Sequence, residues 1–474
     1  NSKGTAEMHG VQGNNQTNVA KKVSTATIEE IALATVYFRP LDTWNGEFGF
    51  DWLREKDNGL LHSKDSDPDY ESIIEGGYRD GVSDLSKTEA FEQLKAQYPI
   101  IPIKKKPTAG STTPPPDGEY FVPYLTLFSK EFVNKTTFAR GSVKPKYEAE
   151  LQIFLEIEDD LDKLEFDFDK SLFDIKNEKL SENKKTGGLV NKKITVKITC
   201  KKDLNTEKEI RVFAYPKGTK QPLTERKLAG KIIILQNDNT ARKEEKFALV
   251  PIRTNITGKP KPDDGGFSPK EKQNFYNTFH QALTIPILEI SPNILDLSSN
   301  ADFKTGGKYV DINNKINEDS SGFFEEVQRL FFEDKDAKGV LKNAKYTTGY
   351  FTVFSLGADV YDDAKGQIAS VTTIVAGVQK TTFLKNLILF PKKDFYTMNH
   401  EGLHGFNLRH THRDSNPIDE PNYKYIFPCA TANPPFQSVG NPTQSTNNVM
   451  CYRDIAYSTW RWQWHIINPN ISEK

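Results

Sequence analysis

The spacing of His400, His404 and His410 constrains this chain more tightly than any other feature. Four of its eight histidines fall between positions 400 and 412, in the run MNHEGLHGFNLRHTH. Histidines four apart share one helical face, about 6 Å from each other along the axis. That spacing lets both imidazoles reach one tetrahedral zinc ion. Glu401, beside the first histidine, then faces the open side of the metal, where a general base is needed. His410 cannot share that face at a useful distance, so the chain must leave the helix and reverse near position 407. Such a reversal calls for positive φ, normally supplied by Gly. Here the residue is Asn407, the next most tolerant type. The spacing therefore predicts a short helix ended at Asn407, with three imidazoles turned to one point.

The rest of the chain divides by composition. A length of 474 residues suggests about three domains at ~150 residues each. Only 36% of the residues are apolar and 27% are charged, yet 30 Phe, 18 Tyr and 5 Trp suffice for several cores, which excludes disorder throughout. Residues 1–30 read as a flexible polar arm. Residues 31–103 read as a small N-terminal α/β module with a strand at Ile31–Leu41 and a helix from Lys87 to Gln97 capped by Ser86. The Lys- and Pro-rich stretch 104–118 is a linker. In 119–256 short alternating strands follow one another. Ile194, Val196 and Ile198, for example, alternate with Thr195, Lys197 and Thr199, and Phe247–Ile252 is the last of the series. This spacing predicts one or two immunoglobulin-like β-sandwiches. A second linker, 257–266, precedes an α+β domain at 267–474. That domain opens with the capped helix Ser268-Pro-Lys-Glu, continues with a helix at Gly322–Glu333, and has strands at Tyr350–Ser355, Ile368–Ala376 and Phe383–Phe390. The fold class expected is thus multidomain: a β-rich N-terminal region, then an α+β domain holding the histidines.

Charge and hydropathy exclude some partners. Lys and Arg number 63 against 64 Asp and Glu, a net charge of −1, so no global attraction to nucleic acid is expected. No apolar run reaches the ~18 residues of a membrane span. The start, Asn1 to Lys22, has no hydrophobic signal core; a secreted or extracellular protein is the expectation, with a leader outside this sequence compatible with a start that is not Met. Three cysteines make no disulfide framework. Cys200 reads as a core residue of a strand. Cys429 and Cys451 flank the segment between His410 and the following Met, either as a disulfide or as two buried thiols. Trp460, Trp462 and Trp464 read as packing of a C-terminal element, and His412 as a surface residue.

Forty residues beyond the histidines stands Asn447-Asn-Val-Met-Cys-Tyr452, which places a Met two residues before a Tyr. With the HExxHxxNxxH run it resembles the metzincin clan of zinc metallopeptidases, in which a Met-containing turn lies beneath the metal. Leu408 to His412 is most like pappalysin-type members, and Phe383–Phe390 sits where the clan has a strand. The resemblance covers His400 to Tyr452 and departs from the clan's pattern at Asn407, where the clan has Gly. It implies His400, His404 and His410 as zinc ligands and Glu401 as the base that moves a proton from water to the leaving amine. It further implies Met450 as an apolar floor and Tyr452 as a resting ligand or hydrogen-bond donor to the oxyanion. Trp44 to Arg54 faintly resembles Bacteroidota proteins, including cargo of contractile secretion systems, which implies contact of the N-terminal domains with delivery machinery. The expectation is a secreted zinc endopeptidase acting on protein or peptide substrates. The alternative is a binding or structural protein whose β domains do the work beside a latent peptidase-like domain.

Overall fold

The computed structural model describes residues 29–55, 69–79, 83–105, 118–177, 179–184, 187–218, 220, 222–258, 260–361, 364–375, 378–412, 424–429, 446–451 and 456–472. The polar arm to residue 28, most of the first linker and Tyr452 lie outside them. The chain is β-rich, with several sheets and a set of short helices.

Two sheets of the N-terminal region share one core. The first runs in the order Ala34–Pro40, Glu148–Ile157, Gly187–Cys200, Phe173–Lys176. The second runs Lys179–Lys184, Leu161–Asp167, Lys208–Pro216, Lys227–Ile234, Tyr124–Thr126, Gly49–Asp51. Phe38, Ile153 and Val196 from the first sheet meet Phe166, Val212 and Ile232 from the second in a single apolar cluster. Each side chain of this size contributes ~1.5–3 kcal/mol when buried, so the alternation along these strands decides which face turns inward. Cys200 lies in this core, fully buried, where burial pushes its thiol up to about 12.

Strand pairing crosses the divisions that composition suggests. Ala34–Pro40, expected in a separate small module, pairs antiparallel with Glu148–Ile157, Phe38 facing Ile153. Gly49–Asp51 pairs with Tyr124–Thr126, and Gly76–Arg79 pairs with Tyr425–Ile426 from the far end of the chain. Phe247–Ile252, expected to end the sandwich, lies within Lys243–Thr254, the strand on which the C-terminal sheet is built. A fully buried parallel strand is a continuous apolar run, and its sequence does not say to which sheet it belongs. The second linker is partly strand as well. Asp263–Asp264 pairs with Arg253–Thr254, and Arg253 grips the Asp264 carboxylate at 2.7 and 3.0 Å.

The C-terminal sheet carries the site. Lys243–Thr254 is parallel to Thr284–Ile290 and to Phe351–Ser355, and the latter is parallel to Val378–Leu389. Gly366–Val375 pairs antiparallel with Val378–Leu389 and forms the sheet's outer edge. The helix Pro269–Gln281 begins at a reciprocal cap, with Ser268 Oγ accepting from Glu271 N and Ser268 N donating to the Glu271 carboxylate. Its Phe275 and Phe279 rings pack on Phe247 at 4.8 and 5.4 Å. On its other side Phe275 meets Gly402 so closely that a Cβ there would lie 2.9 Å from the ring. These edge-to-face aromatic contacts thus set the distance between sheet and histidine helix. Helix Arg461–Ile467 follows, with Trp460, Trp462 and Trp464 all buried. Its first amide donates to buried Asp51, which also accepts from Tyr98 Oη, and this ties the N-terminal region to the end of the chain.

One buried group in this core makes a testable contribution to stability. His280 is 2% exposed, lies edge-on to Phe128, and has no hydrogen-bond partner at Nε2 among the described residues. Burial pushes its imidazole down to about 3, so it stays neutral in the fold. An unfolded histidine gains a proton below ~6.5, and stability is therefore lost as pH falls from that value toward the folded pKa. Between pH 7 and pH 5 the loss from this residue is about 2 kcal/mol. Urea unfolding at the two pH values should show that difference between the wild-type protein and His280→Gln. An equal pH dependence in both would assign acid sensitivity elsewhere.

Candidate metal centre

The histidines sit on and just after the helix Thr397–His404, which Asp394 starts by accepting from the amides of Tyr396 and Thr397 at 2.8 and 2.9 Å. The helix stops within two turns. Asn407 N donates to His404 O at 2.7 Å and Leu408 N to Leu403 O at 3.2 Å, a Schellman-type end. Asn407 itself has φ of 63°, the left-handed conformation that the reversal requires. Its Oδ1 accepts from Phe383 N at 3.3 Å, which anchors the turn to the sheet. Gly405 lets the helix end lie against Phe351, since a Cβ there would fall 2.2 Å from that ring.

This local geometry brings three ring nitrogens together. His400 Nε2 is 3.1 Å from His410 Nε2 and 3.2 Å from His404 Nε2, and the His404–His410 pair is 3.1 Å apart. The opposite nitrogens of two rings are tied to backbone carbonyls. His400 Nδ1 lies 2.9 Å from Val449 O, and His404 Nδ1 lies 2.8 Å from Leu408 O. A carbonyl only accepts, so each Nδ1 carries the proton and each Nε2 turns its lone pair inward. Burial first, and then the neighbouring imidazoles, hold His404 well below the usual histidine range; the same holds for His410, with His412 and His400 as its neighbours. Lone pairs facing one another at this distance repel unless a cation lies between them. A tetrahedral ion with bonds of ~2.0–2.1 Å holds its ligand atoms about 3.3–3.4 Å apart, close to the spacing found. The donor set therefore fits a metal, and among the described residues it is the one cluster of His, Cys, Asp or Glu close enough to hold one.

Glu401 is half-buried beside the triad, and burial pushes its carboxyl up to about 8. A bound dication acts in the opposite direction and favours the carboxylate. Gly366, at the start of the edge strand, touches this side chain, and a Cβ there would lie 2.9 Å from Glu401 Cγ. The edge of the sheet therefore begins where the acid stands.

Met450 is fully buried. Its carbonyl accepts from Thr411 N at 3.1 Å, so the turn 447–450 is joined to the residue after His410. Asn448 braces that turn through a paired amide contact with Gln463, at 2.8 and 3.2 Å. Tyr452, to which the resemblance gives a role, falls outside the described residues. His412 corrects an expectation. It is 3% exposed and stacks on His410 at 4.5 Å, because Thr411 pairs with both Met450 and Phe427 and draws this segment inward. Cys429 and Cys451 are two buried thiols in contact, their sulfurs 3.0 Å apart.

Sequence reasoning did not find the carbonyls of Val449 and Leu408 that orient the rings. Every residue has a carbonyl, so nothing in the residue type marks them. Gly402, Gly405 and Gly366 did leave a signal, as small residues flanking the histidines or opening the edge strand.

The turn gives a direct test. Asn407→Gly should be nearly neutral in stability, because easier positive φ offsets the lost contact to Phe383. Asn407→Val should cost about 1–3 kcal/mol, because a β-branched residue is strained in this conformation, and it should weaken metal binding by displacing His410. Thermal unfolding and metal titration of both variants check this, and equal behaviour of Gly and Val would contradict the role given to the turn. No family model matches the chain, and the comparison with curated proteins found no match.

Proposed function

We propose that this chain is a zinc-dependent endopeptidase of the metzincin type, hydrolysing peptide bonds in protein or peptide substrates. The observation that carries this reading is the convergence of three imidazole Nε2 atoms beside Glu401. Three neutral nitrogens at tetrahedral spacing suit zinc, and a set of three protein ligands is the pattern of catalytic rather than closed structural sites. Zinc held there supplies a Lewis acid and brings the pKa of water to about 7. His400 and His404 are oriented through Val449 O and Leu408 O, which keeps their Nε2 lone pairs available. Glu401 takes a proton from the attacking water and delivers it to the leaving amine, the work of a carboxylate within reach of the reacting atoms. Tyr452 is assigned to the oxyanion by the resemblance alone.

The edge strand supports a peptide as the substrate. Gly366–Val375 is outermost in its sheet and begins against Glu401. Its sequence, GQIASVTTIV, contains neither charge nor proline, the residues that ordinarily blunt exposed edges. An extended chain adding to that edge would pass its backbone alongside the acid. We read the two-sheet unit as an immunoglobulin-like sandwich that presents the catalytic region to its target. The test is cleavage of a peptide library by zinc-loaded protein, with and without a chelator. Chelator-sensitive cleavage at a consistent position is expected, and no cleavage by protein shown to hold zinc would overturn the reading.

A further inference from the structure

The two sulfurs beside the histidine site form a second chemical feature. Cys429 Sγ and Cys451 Sγ are 3.0 Å apart, and the residues are 1% and 3% exposed. A disulfide bond is ~2.05 Å long, so closing it requires an approach of only about 1 Å. Among the described residues no further His, Cys, Asp or Glu joins the pair to make a metal site. The third cysteine, Cys200, lies in the sandwich core, where Asn237 Nδ2 donates to its sulfur at 3.3 Å.

The positions of the two cysteines give the pair its significance. Thr411, the residue after His410, is held between two segments: its carbonyl accepts from Phe427 N at 2.7 Å, and its amide donates to Met450 O at 3.1 Å. Cys429 lies two residues beyond Phe427, and Cys451 directly follows Met450. The cysteines thus stand two residues and one residue beyond the two contacts that clasp the stretch leading away from His410. Cys451 N also donates to Asn448 O at 2.9 Å, closing the turn whose Val449 carbonyl orients His400.

We propose that Cys429 and Cys451 are a disulfide site that staples the floor of the histidine centre and slows the release of its metal. The bond is independent of the peptidase reading, whereas its effect on the metal rests on the three-histidine site. The oxidant is a small disulfide such as oxidised glutathione. One cysteine thiolate attacks it, forming a mixed disulfide and releasing one glutathione thiol. The other cysteine thiolate then attacks the protein sulfur of that mixed disulfide and releases the second. Two protein thiols are oxidised and one glutathione disulfide is reduced. Because both sulfurs are buried, exchange proceeds during folding or on opening of the floor, and the closed bond resists reductant in the folded protein.

Refolding the full chain in a glutathione redox buffer, followed by peptide mapping without reduction, tests the bond. The expected product links the peptides of Cys429 and Cys451, weighs two hydrogens less than the reduced protein, and leaves Cys200 open to alkylation after denaturation. Full alkylation of all three cysteines, or linkage to Cys200 or glutathione instead, would overturn the proposal. The second readout is transfer of zinc to a chromogenic chelator, compared with the reduced protein and with the Cys429→Ser, Cys451→Ser double variant. Release about 10-fold slower from the oxidised protein is expected, the scale on which outer supports of a metal site act. Equal release from all three forms, with the bond verified by mapping, would show that the staple does not serve the metal.

Discussion

Glu401→Gln is expected to keep its zinc and to lose peptide turnover by ~10²–10⁴-fold, the range general-base assistance supplies. Gln fills the same space beside Gly366, where a Cβ would lie 2.9 Å from Glu401 Cγ, so the edge strand is not disturbed. It accepts a hydrogen bond but cannot take a proton, and only the proton transfer is removed. The loss should fall on kcat and on kcat/KM equally, with binding of an uncleaved peptide retained. Turnover close to wild type, with contaminating protease excluded by a chelator-insensitive control, would remove Glu401 from the mechanism.

His404→Ala is expected to abolish stoichiometric metal binding, weakening it by at least ~100-fold, beyond the 10–100-fold that changes in outer supports produce. The substitution removes one of three converging nitrogens and also the Nδ1 contact to Leu408 O that holds the helix end. Zinc binds the folded state, so at about 1,000 times its Kd it should stabilise the wild-type protein by ~4 kcal/mol. At the same zinc concentration the gain in His404→Ala should be smaller by at least ~2.7 kcal/mol, so added zinc should raise the Tm of the wild-type protein well beyond that of the variant. An equal rise in both would place the stabilising ion elsewhere.

Much of the site was legible before the fold was known, and the reasons are local. Helical spacing puts His400 and His404 on one face, and the need for reversal before His410 points to positive φ at Asn407, where it is 63°. The same holds for the caps at Ser86 and Ser268, whose partners lie three residues away. What could not be read depends on distant pairing. Nothing in Phe247–Ile252 says that its neighbours are Thr284–Ile290 and Phe351–Ser355 rather than the preceding strands. Likewise Asp263 and Asp264 read as linker until Arg253 and Thr254 are seen beside them. The burial of His412 is hidden from the sequence for a related reason. Its burial comes from two backbone hydrogen bonds of Thr411 to segments 16 and 39 residues away in sequence, Phe427 and Met450, and side-chain type carries no trace of them.

The proposed chemistry stands on one zinc ion held by His400, His404 and His410. Anomalous diffraction from crystals of the protein, measured on both sides of the zinc absorption edge, reads both the identity and the position of that ion. A single strong peak that vanishes below the edge is expected ~2.1 Å from the Nε2 atom of each of the three histidines. Crystals grown with excess zinc that show no peak there, or a peak held by other residues, would contradict that expectation.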